Sequence, residues 1–519
     1  MSVVLSEHLP LLATAPDGIK KLRQLVLQLA IEGRITDSDK SDWTQTTLGD
    51  VGDWGSGGTP LKAHTDYYGG TIPWLVIGDL NDGLVTVAET HITEKGLANS
   101  SAKRVPVGTL LIAMYGSIGK LGIAGIECAT NQAIAYCKVN SAIAECRFLF
   151  YFLRAIRSQL LSSGQGLAQQ NISQKLLKAT PIQLPPLAEQ GRIVAKVDEL
   201  MALCDRLESE QSDADSAHAQ LVETLLGTLT QSTDAADLAS NWQRIAKHFD
   251  TLFTTEGSIE FLRKSILHLA VLGKLVKQDP TDEPVNELLK KIATERKRLN
   301  TAGPKRQAKI PHKAVEVQSF ELPKAWTWVP IGTCAITSTG RTPATAREDL
   351  YGGRFPFIGP GQISSDGAIL TSEKYISEKG KVDAAVAVPG SILMVCIGGS
   401  IGKCAVVHYE TAFNQQINAA VPILFNSRYL YVAMTSPNFQ EKVISSATGS
   451  ATPIINKSNW ENLLIPMPPL QEQHRIVAKV DELMALCDRM KEYLREARGQ
   501  QSLLADTLID AVLVKAYVG

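Results

Sequence analysis

No stretch of this 519-residue sequence stays apolar long enough to cross a bilayer. The longest apolar run, Ala384–Gly399, is interrupted by Pro389 and Gly390. The first sixteen residues lack the positively charged start and long apolar core of a secretory signal. Net charge is missing as well: 52 Lys+Arg stand against 53 Asp+Glu, leaving −1. No overall basic field therefore marks the chain for nucleic acid, and any such contact must be local or shared with a partner. The eight cysteines (Cys128, Cys137, Cys146, Cys204, Cys334, Cys396, Cys404 and Cys487) contain no C-x-x-C pair, and no histidine cluster completes a zinc set. Scattered cysteines of this kind suit a reducing compartment. These absences predict a soluble cytoplasmic protein with no membrane partner and no metal site.

Catalytic signatures are missing too. The segment GSIGK, at Gly116–Lys120 and Gly399–Lys403, suggests a phosphate loop, but the required upstream glycine is replaced by Met114 and Ile397, and the Ser/Thr after the lysine by Leu121 and Cys404. A tight turn presenting Lys120 and Lys403 is the expectation instead. No Asn/Asp-Pro-Pro-aromatic tetrad occurs, and no glycine-rich adenosylmethionine loop, helicase motif or carboxylate–lysine nuclease cluster is present. The sequence predicts no catalytic residue.

What is present is a duplication. RIVAKVDELMALCDR at Arg192–Arg206 returns letter for letter at Arg475–Arg489, 283 positions on. At the same offset LPPLAEQ (Leu184–Gln190) answers MPPLQEQ (Met467–Gln473), Trp43-Thr44 answers Trp326-Thr327, and Thr59-Pro60 answers Thr342-Pro343. Tyr68–Gly70 answers Tyr351–Gly353, the two GSIGK segments coincide, and Asn131-Gln132 answers Asn414-Gln415. A second match has offset 240: IKKLRQLVLQLAIEGRI (Ile19–Ile35) answers IEFLRKSILHLAVLGKL (Ile259–Leu275), so the second copy carries an extra piece near Val276–Phe320.

The identical segment has heptad spacing. Ile193, Val197, Leu200, Cys204 and Leu207 form one apolar seam; Ile476, Val480, Leu483, Cys487 and Met490 form the other. The prolines at 185–186 and 468–469 lie just upstream, where they help to set a helix start. Two near-equivalent long helices in one chain are natural partners, and a pseudo-twofold pair would run antiparallel. The predicted fold is α+β: two mixed α/β domains separated by a pair of long antiparallel coiled-coil helices.

Six segments follow: 1–42 with the first repeat helix, a globular domain at 43–183, a long helix at 184–232, a linker at 233–320, a second globular domain at 321–466, and a long helix at 467–519. The linker holds the second repeat helix and a basic stretch, Val285–Lys313, read as a solvated helix and a polar connection in preference to a dedicated phosphate track. Within the globular domains, short β-rich runs precede helices expected at Cys146–Leu161 and Ser427–Ser445. The two domains share a skeleton but not a face, for His64 meets Arg347, Gly58 meets Arg341, and Tyr115 meets Gly398 at matched positions. Different polar groups on one frame are what two recognition modules with different targets need.

This order of parts resembles the specificity subunit of type I restriction–modification enzymes. The residues carrying the resemblance are Leu184–Glu208 and Met467–Met490, the helix Leu262–Val276, the G-x-T-P turns at Gly57–Pro60 and Gly340–Pro343, and GSIGK with its following Asn-Gln. The resemblance implies two target-recognition domains, each reading one half of a bipartite site in double-stranded DNA, and helices that set the gap between halves. It implies docking of two adenine-N6 methyltransferase subunits and, in the full complex, of restriction subunits. S-adenosylmethionine, ATP and Mg would reside on those partners, with no cofactor in this chain. DNA contacts are expected from Lys62, His64, Tyr115, Ser117 and Lys120 in the first domain and from Arg341, Arg347, Arg354, Ser400 and Lys403 in the second. A heptad seam does not explain why Lys196, Asp198 and Glu199 recur as Lys479, Asp481 and Glu482. These outward positions are expected to dock the two identical partner subunits.

Overall fold

The computed structural model describes residues 11–36, 39–162, 171–302 and 320–514. The polar end of the linker, 303–319, and parts of both terminal segments lie outside the described residues. The helices that frame the molecule are α1 (Gly18–Ile31), α2 (Cys146–Ala155), α3 (Leu187–Gln231), α4 (Ala235–Lys247), α5 (Glu256–Val271), α6 (Val285–Ala302), α7 (Ser427–Thr435) and α8 (Leu470–Val514). The chain forms two compact units, Met1–Ala214 with Ala497–Gly519, and Asp215–Glu496.

In the first unit, two larger sheets and a two-stranded one, Thr44–Thr47 with Pro181–Leu184, make the globular domain. One larger sheet runs in the order Gly52–Ser56, Ile134–Val139, Leu110–Ala113, Leu121–Ala124, Gly83–Val85; the other in the order His91–Ile92, Tyr68–Leu75, Cys128–Thr130, Arg104–Val105. All four residues of Leu110–Ala113 are buried, because both faces of that sheet are covered. Leu110 and Ile112 join the core shared with α2, while Leu111 and Ala113 join a second core with Leu75 and Val105. Alternate side chains of a strand point to opposite faces, so a strand covered twice reads as a continuous apolar run.

The second unit repeats this topology. Ala335–Thr339, Ile417–Pro422, Ile392–Val395 and Cys404–Val406 form one sheet; Lys374–Ile376, Tyr351–Ile358, Thr411–Phe413 and Ala385–Ala387 form the other. The single parallel pairing of the second sheet recurs in register, Trp74 against Ala129 in one domain and Phe357 against Ala412 in the other. A register shift recurs too, between Tyr68 and Ile72 and between Tyr351 and Phe355. The first domain alone adds a fifth strand, Gly83–Val85, parallel to Leu121–Ala124.

Two helices expected to be continuous are broken. Cys146–Leu161 divides at Ile156 into α2 and Arg157–Ser162; Ser427–Ser445 divides into α7 and Pro437–Ser445. In the second case the cause is covalent: Pro437 opens the later helix, and its ring disfavours helical geometry at Ser436, which stands at φ −64° and ψ 146°.

The long helices are present in both units, 45 residues each. In the first unit Ile193, Val197, Leu200 and Cys204 of α3 share a core with Ala505, Leu508 and Val512 of α8. In the second, Ile476, Val480 and Cys487 of α8 share one with Val222, Leu226 and Leu229 of α3. The start of each helix thus meets the end of the other, the antiparallel arrangement. The seam is not closed by this pair alone. Leu22, Leu25, Val26 and Leu29 of α1 enter the first core, and Ile259, Leu262, Ile266 and Leu269 of α5 the second. Each long helix packs in a bundle with its repeat helix, and Leu207, Leu483 and Met490 of the seam are half-buried. Arg23 of α1 pairs with Asp205 at 2.6 Å and Glu208 at 2.7 Å. Arg263 of α5 pairs with Asp488 in the same way.

Both repeat helices end alike. Gly33 (φ 62°) and Gly273 (φ 70°) take the left-handed conformation beyond the last turn, and the next amide reaches back to Leu29 O at 2.8 Å and Leu269 O at 3.0 Å. Any Cβ at Gly33 would lie 2.7 Å from the Trp43 ring, so glycine is required twice over.

Candidate nucleic-acid interface

GSIGK is a turn between two core strands in each domain. Gly119 N donates to Ala113 O at 2.9 Å and Lys120 N to Ser117 O at 3.1 Å. In the second domain Gly402 N donates to Val395 O at 2.9 Å and Lys403 N to Ser400 O at 3.2 Å. Gly119 (φ 75°) and Gly402 (φ 91°) supply the left-handed geometry that closes it. Tyr115 and Ser117 are exposed at its tip, while Lys120, Ser400 and Lys403 are half-buried. Ser117 and Lys120 are thus brought together, as are Ser400 and Lys403.

Lys62 and His64 lie exposed in the loop after Pro60. The His64 ring stacks on Tyr67 with centroids 4.7 Å apart, and its Nδ1 is 3.9 Å from Asp66. The second domain's arginines gather round the short helix Glu378–Asp383. Arg341 donates through Nε to Asp383 O and through Nη2 to Val382 O at 3.2 Å. Arg354 pairs with Glu378 at 2.8 Å and lies 5.1 Å over the Phe355 ring. Arg347 pairs at 2.9 Å with Asp349, which is 3.9 Å from Lys379. Ion pairs this exposed hold little free energy, so the arginines can be recruited by another anion at small cost.

The equivalent first-domain helix, Glu94–Ala98, gathers Lys95 on Asp66 at 2.5 Å, and Arg104 on Glu94 and on Glu127 at 2.6 Å. Lys95 and Lys379 are 64% and 76% exposed, among the most open cations here. Neither is among the DNA contacts expected from the sequence. The signal was Thr93–Gly96 (TEKG) against Ser377–Gly380 (SEKG), displaced by one residue from the main offset. In each, the Thr or Ser hydroxyl caps the helix by accepting from the glycine amide at 3.1 Å.

The joint between domain and long helix is built from polar groups that the sequence pattern does not reveal. Gln190 and Gln473, the last residues of the two PPLxEQ motifs, are fully buried. Gln190 Oε1 accepts from Glu145 N at 2.7 Å, and its Nε2 donates to Ile143 O at 3.0 Å and Pro185 O at 2.8 Å. Gln473 repeats this with Asn426 N and Pro468 O, both at 3.0 Å. Each glutamine therefore clips the start of a long helix to the N-terminus of α2 or α7. Two turns on, Asp198 binds Arg147 at 2.6 Å and accepts from Tyr151 Oη, while Asp481 binds Arg428 at 3.0 Å. Burial, together with that bond to Asp198, pushes the Tyr151 phenol up to about 12. The preceding acids, Glu189 and Glu472, are buried as well. Trp326 Nε1 donates to Glu472 at 2.9 Å, and burial holds the Glu472 carboxyl above its ordinary range.

Residues 40–214 and 323–497 each match the type I restriction modification DNA specificity domain. The chain belongs to that family. Its similarity extends to individual members of the DNA specificity family. It is 35% identical over 377 residues to the type I restriction enzyme EcoAI specificity subunit of Escherichia coli, an alignment spanning 70% of this chain and 62% of that one. Against the EcoEI specificity subunit of Escherichia coli the identity is 29% over 571 positions, covering 96% of this chain and 94% of the relative. A chain in a solved structure concerned with complex assembly and conformational transition of the type I R-M system has the same fold, with a TM-score of 0.52 at 19% identity over 91% of this chain and 97% of that one. Each specificity-domain match runs from just before a globular domain into the long helix that follows. The buried Gln joint therefore lies inside the family's unit rather than at its edge. Among the described residues no helix is long and apolar enough to cross a membrane, and no group of three or more His, Cys, Asp or Glu side chains could hold a metal ion.

Proposed function

We propose that this chain is the non-catalytic DNA-reading subunit of a type I restriction–modification complex acting in the cytoplasm. Each globular domain reads one half of a bipartite site in double-stranded DNA, and the paired helices hold the unread spacer between the halves. Two adenine-N6 methyltransferase subunits, carrying S-adenosylmethionine, dock on the helical region; restriction subunits add ATP- and Mg-dependent cleavage in the full complex. The observation supporting this is one sheet frame and one joint, built twice, presenting different exposed side chains. Lys62, His64, Tyr115, Ser117 and Lys120 would contact one half-site, and Arg341, Arg347, Arg354, Ser400 and Lys403 the other. Losing a base contact among them should cost about 1–3 kcal/mol and relax one position of the site. Methylation-aware sequencing of DNA modified by the complex is expected to return two short, unlike half-sites at a fixed spacing. A single contiguous motif would defeat the proposal.

Docking is assigned to Lys196, Asp198, Glu199, Lys479, Asp481 and Glu482. Lys196 and Glu199 pair along the helix at 2.8 Å, as do Lys479 and Glu482 at 2.9 Å, whereas Asp198 and Asp481 also serve the joint. A charge swap separates the two roles. Asp198→Arg alone is expected to lower stability by about 1–3 kcal/mol, because the buried Tyr151 hydroxyl loses its acceptor as the partly exposed pair with Arg147 is broken, and to weaken methyltransferase assembly. Asp198→Arg with Arg147→Asp is expected to restore the melting temperature but not the assembly, measured by size-exclusion chromatography. Recovery of both would confine Asp198 to the joint.

A further inference from the structure

The two domains share one exposed polar arrangement that folding does not require. Thr59 Oγ1 donates to Gln132 Oε1, and Thr342 Oγ1 donates to Gln415 Oε1 at 2.7 Å. The neighbouring Asn131 and Asn414 have an evident structural role, since their side chains accept from the amides of Ala133 and Gln416 at 3.1 and 3.0 Å and so form the turn. The glutamines sit exposed on that turn. Nor does the Thr-Pro loop need them for fastening. Gly58 N and Arg341 N already bind Thr130 O and Phe413 O at 2.9 and 3.0 Å. Tyr68 and Tyr351 hydroxyls bind the Pro60 and Pro343 carbonyls at 2.6 and 2.7 Å. With Oε1 committed to the threonine, each amide keeps its Nε2 hydrogens, which have no acceptor among the described residues.

We infer that Gln132 and Gln415, each aimed by its threonine, donate to DNA backbone phosphates and seat both recognition domains on the duplex alike. This rests on the proposed DNA-reading function. Two oriented N–H donors suit a phosphate oxygen, and a contact common to domains with different targets can position without specifying.

The test uses the complex of the full chain with its methyltransferase subunits. Gln132→Glu and Gln415→Glu keep the acceptor for threonine but replace the donors with negative charge. Each is expected to weaken binding to target and non-target duplexes alike by more than about tenfold, since repulsion of the phosphate adds to the loss of one hydrogen bond to a charged group, with an unchanged methylated sequence. Gln132→Met, which removes the donors without adding charge, should show the same pattern at smaller size and guards against misfolding of the charged variant. Unchanged affinity would reduce the pair to a loop staple and overturn the inference. Relaxation at one base position would make the glutamine a base reader and overturn it equally. Absence of sequence-selective methylation by the unsubstituted complex would instead remove the underlying DNA-reading proposal.

Discussion

Gln190→Ala is expected to lower the stability of the first unit by roughly 2–4 kcal/mol and to loosen the spacing tolerated between the two half-sites. The stability loss follows from what truncation leaves behind. Pro185 O loses its side-chain partner in a buried setting and Glu145 N loses its own in a half-buried one, and an orphaned buried polar group costs about 1–3 kcal/mol. Removing the side chain also empties a fully buried position, which adds to the loss. Urea denaturation would register a lower midpoint. The functional consequence follows from position, because Gln190 ties the N-terminus of α2 to the start of α3. The same substitution at Gln473 releases Asn426 N and Pro468 O in the second unit. If methylation still demanded one spacing after either substitution, with stability reduced as expected, the joint would have no part in measuring the spacer.

The duplication and the seam were legible in the sequence because they rest on residue types with one dominant use. Glycine, proline and tryptophan matched across the copies mark turns and packing, and heptad spacing marks burial: Ile193, Val197, Ile476 and Val480 are all at most 1% exposed. Periodicity says which side of a helix is covered, not by what. The repeat helices α1 and α5 were recognised as helices, yet their place in the seam's core was invisible, since Arg23 meets Asp205 across 182 residues. The buried glutamines were illegible for a related reason. A Gln after two prolines reads as a solvated helix start until the partners that satisfy it are known. On the candidate interface, the shared GSIGK segment is the tight turn its spacing predicts, whereas Arg354 lies within the strand Tyr351–Ile358 rather than in a turn. Lys95 and Lys379 escape the comparison of the two copies, because TEKG and SEKG stand one residue out of the 283-residue register that aligns the rest of the two domains.

Exchanging residues 43–183 for the corresponding domain of another specificity subunit is expected to replace one half of the methylated site entirely and leave the other half unchanged. The fold permits this. Strand Thr44–Thr47 pairs antiparallel with Pro181–Leu184, from Thr44 opposite Leu184 to Thr47 opposite Pro181, so the chain enters and leaves the domain side by side. Thr327–Pro330 and Leu464–Met467 close the second domain in the same way. Domains whose ends meet can be replaced with little strain on the chain around them. The exchange is not free of context, because Phe148 and Leu149 on α2 share a core with Leu22, Leu25 and Val26 of α1. An incoming domain must therefore supply an α2 of matching size, and Arg147 and Tyr151 to meet Asp198. With those kept, each half-site should travel with its own domain, and methylation-aware sequencing would show it. A change appearing in both halves would mean that the domains read the DNA jointly, and a change in neither would mean that residues 43–183 do not read it at all.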